Sequence, residues 1–425
     1  MTDFILRGDI CYAAGDRTLV TRPDSYVVCR VGVCAGVFEY LPEQYASLPL
    51  YDYRNKLVIP GMADLHLHAP QFAYRGMGMD RELLDWLSAY AFPEEMKYGD
   101  LSYAERAYTL FADAMHHSAT TRAAVFATIH PQATLLLMHK LENSGIVSYV
   151  GKVNMDRNAP DGYRETADSS MKATEEWLAG CRKAGFCRTY PILTPRFVPA
   201  CSDELMERLG ELCAENALPV QSHLSENPDE VELVRRLCPE SRCYGDAYDR
   251  FSLFGSVSPC IMAHCVYSDE REIALMKERG VLIAHCPASN MNVASGIAPI
   301  RRYLDNGMRV GLGTDVAGGE TESMFSAIVD AIQCSKLYHR IIDHEATPLR
   351  FEEAFHMATR GGGAFFGKVG AFEQGYAFDA VVLDDGLLPH PQGLSLSERL
   401  ERAVYLGADE RALVAKFVNG DAVLS

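Results

Sequence analysis

Apolar residues in the middle of this 425-residue chain occur in short runs, and stretches with helical spacing separate most of these runs. Strand-length runs that alternate with helices are typical of a parallel sheet. We therefore predict an α/β fold, a (β/α)₈ TIM-like barrel, with an open doubly wound sheet as the alternative. The eight predicted strands are Leu57–Leu67, Ala123–Thr128, Val147–Met155, Arg188–Thr194, Pro219–His223, Cys260–His264, Val281–His285 and Arg309–Thr314.

Both ends of the chain have a different pattern, in which short strand-like runs and turn residues occur without a useful helical period. Near the start, Asp3–Cys11 and Tyr26–Val33 read as strands. Near the other end, Phe378–Leu383 reads as a strand, and Asn419-Gly420 predicts a tight turn between two further strands. Both ends are therefore expected to be rich in β-structure.

The connection after the first predicted strand is long and runs from His68 to Ala119. Helices are predicted within it at Arg81–Ala91 and Tyr103–Met115. Long loops at the catalytic face of a barrel often cover a substrate, and a contact between subunits is the alternative.

The composition is that of an ordinary globular protein, and the charge limits the classes of partner. Lys and Arg number 40 while Asp and Glu number 57, which gives a formal net charge of −17. A surface this acidic repels phosphate backbones and anionic lipids, so neither nucleic acid nor a membrane is the expected partner. No apolar stretch approaches the roughly 18 residues of a membrane span, and Met1–Gly15 does not read as a secretory signal. A soluble, cytoplasmic protein is expected.

Two potentially reactive residue types are expected to be structural. The 13 cysteines are scattered without any CxxC pair, and a chain of this length needs no disulfides, so buried free thiols are expected. Lys152, on the third predicted strand, is expected to form a structural ion pair rather than to act as a catalytic amine.

Metal-competent side chains stand at the ends of several predicted strands. His66 and His68 are two residues apart, so on a strand they project from the same face. His223, His264 and Asp315 end or follow three other predicted strands. Because the carboxyl ends of all barrel strands meet at one mouth, these five side chains would converge. Imidazole and carboxylate groups placed in this way predict a site for a divalent metal.

Further motifs strengthen this prediction, because together they resemble the amidohydrolase superfamily and, within it, the guanine deaminases. The superfamily resemblance is carried by PGxxDxHxH at Pro60–His68, by the two later strand-end histidines and by Asp315. One small departure is the segment after His264, which is slightly shorter than the family pattern. The motifs similar to guanine deaminases occur in order along nearly the whole chain: His68-Ala-Pro-Gln71, Val150–Asp156, Thr194-Pro-Arg196-Phe197, Ser222–Asn227, Ala284–Pro287, Ser289-Asn290 and Gly311–Gly319.

The resemblance implies a domain organisation and an assembly. A catalytic barrel would cover residues 60–365, and a small β-sandwich domain would combine residues 1–59 with residues 366–425. The terminal β-rich segments fit this arrangement. Members of the family are often dimers, so the resemblance also implies a homodimer.

The resemblance further implies one zinc ion per chain, with ferrous iron as the alternative metal. Some superfamily members hold two metals through a modified lysine on the fourth strand. The fourth predicted strand here, Arg188–Thr194, contains no lysine, which favours one metal. The implied ligands are His66, His68, His223 and Asp315.

The activity implied is the zinc-dependent hydrolysis of guanine to xanthine and ammonia, a step of purine catabolism. Asp315 would take a proton from the attacking water, His264 would orient that water, and Glu226 would be the general acid/base. Arg196 can donate two hydrogen bonds to a purine, Gln71 suits a ring edge of mixed pattern, and Phe197 can stack. The implied substrate-binding residues are Gln71, Arg196, Phe197, His223, Glu226 and Asp315.

Two alternatives stay open at this point. A sibling deaminase on the same scaffold would act on 8-oxoguanine, ammeline, cytosine or a thiolated adenosine. A barrel that has lost catalysis and serves as a scaffold is a rival of another class, but such a protein would be expected to lose ligands that this chain retains. The HxE and PCxxC signature of the other group of zinc deaminases is absent.

Overall fold

The computed structural model of the chain describes residues 3–15, 17–408 and 411–424, so the outermost residues of the predicted small domain lie outside the described ranges. The strands are, in chain order, β1 (Phe4–Ala13), β2 (Leu19–Arg30), β3 (Val33–Phe38), β4 (Leu50–Pro60), β5 (Met62–His68), β6 (Thr120–Phe126), β7 (Val147–Gly151), β8 (Val153–Asn154), β9 (Thr189–Pro191), β10 (Thr194–Pro195), β11 (Val220–Leu224), β12 (Cys260–His264), β13 (Leu282–His285), β14 (Arg309–Leu312), β15 (Ala380–Leu383), β16 (Leu413–Val418) and β17 (Asp421–Leu424).

The helices fall mainly between the middle strands, as the apolar spacing predicts. The α-helices are α1 (Leu83–Trp86), α2 (Phe92–Met96), α3 (Leu101–His117), α4 (Pro131–Ser144), α5 (Ala167–Ala184), α6 (Asp203–Asn216), α7 (Pro228–Leu237), α8 (Tyr244–Asp249), α9 (Glu270–Arg279), α10 (Pro287–Asn292), α11 (Ile300–Asp305), α12 (Met324–Ile341), α13 (Phe351–His356) and α14 (Leu396–Tyr405).

The middle strands form two four-stranded parallel sheets and one two-stranded parallel sheet, β10-β8, which confirms the predicted α/β class. One four-stranded sheet has the order β5-β6-β7-β9 and the other the order β11-β12-β13-β14. A parallel bridge between Leu193 and Val220 joins them on one side. On the other side, the Asp315 amide donates to the His66 carbonyl at 2.8 Å, and the Val316 carbonyl accepts from the His68 amide at 2.8 Å.

The prediction of one strand over Leu57–Leu67 is wrong, because this run contains two strands that belong to different sheets. β4 pairs with β1 and β15, whereas β5 pairs with β6. Gly61 lies between them, and a Cβ at this position would overlap the side chain of Thr121. The apolar run continues across the boundary because the end of β4 and all of β5 are buried, so no polar residue marks the change of sheet.

Both chain ends contribute to one mixed sheet, as their shared β-rich pattern suggests. Its strand order is β17-β16-β15-β4-β1-β2-β3. The predicted hairpin at Asn419-Gly420 is confirmed, since both residues have positive φ, at 50° and 76°, between β16 and β17. Phe4 and Phe417, one from each chain end, are in contact in its buried core with ring centroids 5.1 Å apart.

Two buried cations join this terminal sheet to the rest of the chain. Arg122 of β6 forms two hydrogen bonds with Asp379, at 2.6 and 2.9 Å. The Lys416 nitrogen of β16 lies 2.8, 3.0 and 3.2 Å from the carbonyl oxygens of Met115, Ser118 and Thr120. Lys416 therefore bonds carbonyl groups between the end of α3 and the start of β6.

Several smaller predictions are also decided by the structure. The 13 cysteines are free, and all but Cys187 and Cys243 are buried. Lys152 is paired, since its ammonium lies 2.6 and 2.7 Å from the two carboxylate oxygens of Glu165. Within the described ranges, no helix has both the length and the apolar character that crossing a membrane requires.

Candidate active site

The ends of β5, β11 and β12 and the segment after β14 surround one cavity of about 430 Å³. The long connection between β5 and β6 closes part of it, because Leu83 and Trp86 of α1 line the wall. This is the position that the sequence assigns to a substrate-covering loop. The predicted site residues that line the cavity are His68, Gln71, Arg196, Phe197, His223, Glu226, His264 and Asp315.

His66 completes the predicted ligand set beside this cavity, with only 1% of its surface exposed. Its Nε2 lies 3.1 Å from Asp315 Oδ1, and His68 Nε2 lies 3.5 Å from the same oxygen. The Nε2 atoms of His68 and His223 are 3.2 Å apart. A tetrahedral zinc ion with bonds of about 2.0–2.1 Å places its ligand atoms roughly 3.3 Å from one another. The three measured distances are close to this separation, so these side chains could hold a single metal ion.

The hydrogen bonding of the histidines gives a second test of this fit. His66 Nε2 is buried and has no hydrogen-bond partner among the residues that the structure describes. The Nδ1 of His223 donates to the Arg196 carbonyl at 2.5 Å, so its lone pair is on Nε2, which faces the other ligands. A carbonyl that fixes the ring in this way is the usual support of a metal-binding histidine.

The charge states follow from burial and from the neighbouring groups. Burial lowers the pKa of His68 and of His223 well below the ordinary value, so both imidazoles are neutral and free to bind a metal. Burial alone would raise the pKa of Asp315, but His66, His264 and His68 outweigh it and hold that pKa well below its usual range. Asp315 is therefore ionised.

Cys286 also lies near the ligands and is not among the predicted site residues. Its sulfur could join His66 and Asp315 in a metal-binding group, since one ligand atom of each lies within 4.8 Å of the others. Burial, followed by the charge of Asp315, raises the pKa of this thiol well above its ordinary value. Since the thiolate is the metal-binding form, this shift makes Cys286 a weaker ligand. A second group with the same spacing joins His66 with His223 and His264.

The backbone at two of these strand ends is held in an uncommon conformation. His264 has a φ of 73° and Asp315 a φ of 50°, both in the left-handed region that residues other than glycine rarely adopt. Asp64 supports this region, since it accepts hydrogen bonds from the Thr314 hydroxyl at 2.5 Å and from the His66 amide at 3.2 Å. Such strain is typical of functional sites, where the surroundings fix the direction of a side chain.

Glu226 faces the same centre from the loop after β11. Its Oε2 lies 3.5 Å from His264 Nε2, and its Oε1 accepts from the Ser295 hydroxyl at 3.3 Å. Burial, together with the charge of Asp315, raises the pKa of Glu226 well above its ordinary value. Its backbone amide is fixed by Glu230, whose carboxylate accepts from it at 2.9 Å. A positioned carboxyl group whose pKa is raised in this way can act as a general acid.

The cavity lining also includes the polar groups predicted to recognise the substrate. Gln71 and Arg196 both contact Glu95, a residue that the sequence analysis missed. Glu95 has 0% of its surface exposed and lies on α2, within the long connection. Arg196 is buried in the structure, and a buried guanidinium requires a carboxylate partner, but its burial was not part of the prediction. The sequence did not indicate which carboxylate that is.

Comparison with protein families agrees with this site. The model of the Amidohydrolase family matches residues 57–423, which covers both four-stranded parallel sheets and the part of the terminal sheet formed by β15, β16 and β17. The chain therefore belongs to the amidohydrolase family, as the motif around His66 and His68 suggests.

Individual proteins narrow the comparison to the guanine deaminases. Guanine deaminase of Dictyostelium discoideum is 40% identical over 379 residues, which are 88% of this chain and 83% of that protein. Guanine deaminase of Escherichia coli K12 is 34% identical over 385 residues, 88% of this chain and 84% of that protein. The crystal structure of a guanine deaminase from C. acetobutylicum with guanine bound in its active site has a TM-score of 0.95 and 46% identity, with 99% of both chains covered. The resemblance to guanine deaminases is thereby confirmed.

Proposed function

We propose that this protein is a metal-dependent hydrolase that converts guanine and water to xanthine and ammonia. One observation carries the proposal: a single cavity, with His66 beside it, brings the metal-competent side chains of His68, His223 and Asp315 together with Glu226, Gln71 and Arg196. The named guanine deaminases that match over most of the chain support the same reaction.

The metal would be one zinc ion, held by His66, His68, His223 and Asp315. The neutral imidazoles and the ionised carboxylate support this assignment, because three nitrogen donors and one oxygen donor suit zinc. When bound, the metal supplies a Lewis acid that lowers the pKa of a water molecule towards neutrality.

The side chains around the ligands would handle the protons of the reaction. Asp315 accepts a proton from the water that attacks C2 of guanine, while His264, 3.7 Å from Asp315 Oδ2, orients that water. Glu226 gives its proton to the ring nitrogen beside C2 and later helps to deliver a proton to the departing amino group. A bond from the water oxygen to C2 replaces the bond from C2 to nitrogen, and the second product is ammonia.

Three residues of the cavity lining would recognise the purine. Arg196 would donate to the exocyclic oxygen and a ring nitrogen, and the Gln71 amide would bind an edge that presents both a donor and an acceptor. Phe197 would stack on the ring, and its position in the cavity lining beside Arg196 supports this role.

The architecture proposed around this site is a closed (β/α)₈ barrel over residues 60–365 and a small β-sandwich made of residues 1–59 and 366–425. Hydrogen bonds at both sides of the two parallel sheets support closure. Phe4 and Phe417 support the sandwich, since their strands are three positions apart in the sheet order yet their rings are in contact. Three strand spacings are about 14 Å in a flat sheet, so contact requires strong curvature.

The proposal is tested by offering zinc-loaded protein guanine, 8-oxoguanine, ammeline, cytosine and adenine while ammonia release is measured. Guanine is expected to give the highest kcat/KM, with adenine inactive because its amino group is on C6 rather than C2. A different best substrate would overturn the assignment to guanine but would leave a deaminase of the same family. Absence of ammonia from every compound would overturn the deaminase class.

A further inference from the structure

Glu95 lies at the centre of a hydrogen-bond network behind the substrate wall of the cavity. Its carboxylate accepts from Gln71 Nε2 at 2.8 Å, from Arg196 at 2.5 and 3.0 Å, and from the Tyr163 hydroxyl at 2.7 Å. Glu95 and Arg196 are almost fully buried, with 0% and 2% of their surfaces exposed. Gln71 and Arg196 line the cavity, whereas Glu95 and Tyr163 are not part of its lining. Glu95 therefore reaches a ligand only through its neighbours.

The contact with Arg196 fixes the plane of the guanidinium group. Both Nη atoms bind the two oxygens of Glu95, and the guanidinium carbon lies 4.8 Å from the centre of the Phe92 ring. Phe92 and Glu95 are three residues apart on α2, so the ring and the carboxylate lie on the same side of that helix. A guanidinium has five N–H groups, and two donate to Glu95. Three remain that donate to no other described residue.

The contact with Gln71 fixes the orientation of an amide. An ionised carboxylate accepts hydrogen bonds but cannot donate them, so the Gln71 nitrogen, and not its oxygen, must face Glu95. The oxygen in turn accepts from the Ala317 amide at 3.2 Å. One N–H and one lone pair of the amide are left for a ligand, in a defined arrangement. If the amide were turned over, this arrangement would be reversed.

We infer that Glu95 is the positioning residue for recognition of the oxo-purine, because it sets the directions in which Arg196 and Gln71 present their hydrogen bonds to the cavity. This inference rests on the proposed function. Glu95 lies in the long connection and not on a metal-binding strand. By this inference it determines how well the site distinguishes guanine from a purine that lacks the oxygen at C6.

The experiment replaces Glu95 with Gln, which keeps the shape of the side chain but introduces an amide nitrogen among three donors. Activity is measured with guanine and with 2-aminopurine, which has the same amino group on C2 but no oxygen at C6, and 2-aminopurine is also titrated as a competitive inhibitor of guanine turnover. The kcat/KM for guanine is expected to fall at least about tenfold, mainly through KM, as expected for the loss of hydrogen bonds to a charged group. Turnover or binding of 2-aminopurine should change less than about threefold.

Glu165→Gln is the matched control. It removes the carboxylate from another buried ion pair, with Lys152, and neither of these residues lines the cavity. Both variants are expected to lower the melting temperature and to retain their zinc. Only Glu95→Gln should reduce the preference for guanine over 2-aminopurine, whereas a merely structural role would leave that preference the same in both.

A double-mutant cycle tests whether Glu95 acts through Arg196. When Arg196→Met is already present, Glu95→Gln should lower kcat/KM for guanine by less than about a further threefold, since coupled residues are not additive. Full additivity, or equal losses on guanine and 2-aminopurine, would overturn the inference. If Glu95→Gln does not fold, Glu95→Asp is measured in the same assay, and an unchanged preference there would overturn it as well.

The activity of the wild-type protein distinguishes failure of the proposed function from failure of the role inferred for Glu95. A wild type that releases no ammonia from guanine overturns the proposed function. A wild type that is active, with a Glu95 variant that keeps its guanine preference, overturns only the role of Glu95.

Discussion

Glu226 and Asp315 are carboxylates that face the same histidine nitrogen, at 3.5 and 3.7 Å, yet their pKa values move in opposite directions. Burial raises the pKa of Glu226, and the negative charge of Asp315 adds to this effect. Asp315 is equally buried, but the surrounding histidines hold its pKa down. Two carboxylates whose surroundings separate their pKa values in this way can serve as acid and base in one reaction.

The division of roles predicts the effect of Glu226→Gln. The variant should bind one zinc ion as the wild type does, because Glu226 is outside the ligand set. Its kcat for guanine should fall by about 10²–10⁴-fold, the usual contribution of a general acid/base. Metal analysis and steady-state kinetics check both parts, with Glu165→Gln as the buried-carboxylate control. A near-normal kcat would remove Glu226 from the proton transfer.

Residues of the site differ in how far the sequence could predict their position. His66 and His68 could be paired from local geometry alone, because positions two apart on a strand share a face. His223, His264 and Asp315 could be added because parallel strands end at one mouth. Glu95 could not, since it lies on a short helix within the long connection and its partners are chosen by tertiary packing.

At the scale of elements, burial makes some strands recognisable in the sequence as apolar runs, but it also removes the polar residues that would mark where one strand ends. The eight middle strands could be found because strands between helices are apolar throughout. The division between β4 and β5 could not, because the apolar run crosses Gly61 without interruption. The local signal at this boundary is the dipeptide Pro60-Gly61, and the close approach of Thr121 to Gly61 is a tertiary contact.

Lys416 gives a prediction at this scale, since it connects β16 to the end of α3. Lys416→Met removes the hydrogen bonds of the Lys416 nitrogen to carbonyls and should lower the free energy of unfolding by about 1–3 kcal/mol. Denaturant unfolding at pH 8 measures the difference. Lys172→Met, at an exposed position of α5, is the control and should stay within about 0.5 kcal/mol of the wild type.

The same residue predicts a dependence on pH. Burial lowers the pKa of Lys416 to about 7, from an ordinary value of 10.5. Between these values the unfolded chain holds a proton that the folded chain has released, so this group makes the free energy of unfolding rise with pH. The difference between wild type and Lys416→Met should therefore grow from pH 7 to pH 9, by at most about 1.4 kcal/mol per pH unit. A difference that stays constant or shrinks over this range would contradict the assignment.

At the scale of the whole molecule, the two chain ends meet in one sheet and the segment between them carries the site. The shared β-rich pattern of both ends could be recognised from the sequence, but their strand order could not. That order depends on contacts such as the pair of Arg122 with Asp379, which join residues far apart in the chain. The net charge of −17 predicts that polyanions are not the partners, but it held no information about a cavity lined by Arg196.

The most direct test of this account is a metal titration of the whole protein. Metal is removed with a chelator, zinc is added back in measured amounts, and xanthine formation from guanine is followed by absorbance. The account predicts that the initial rate rises linearly with zinc and becomes constant at one ion per chain. Full turnover of guanine by the metal-free protein, or a protein that binds one zinc ion per chain and forms no xanthine, would contradict it.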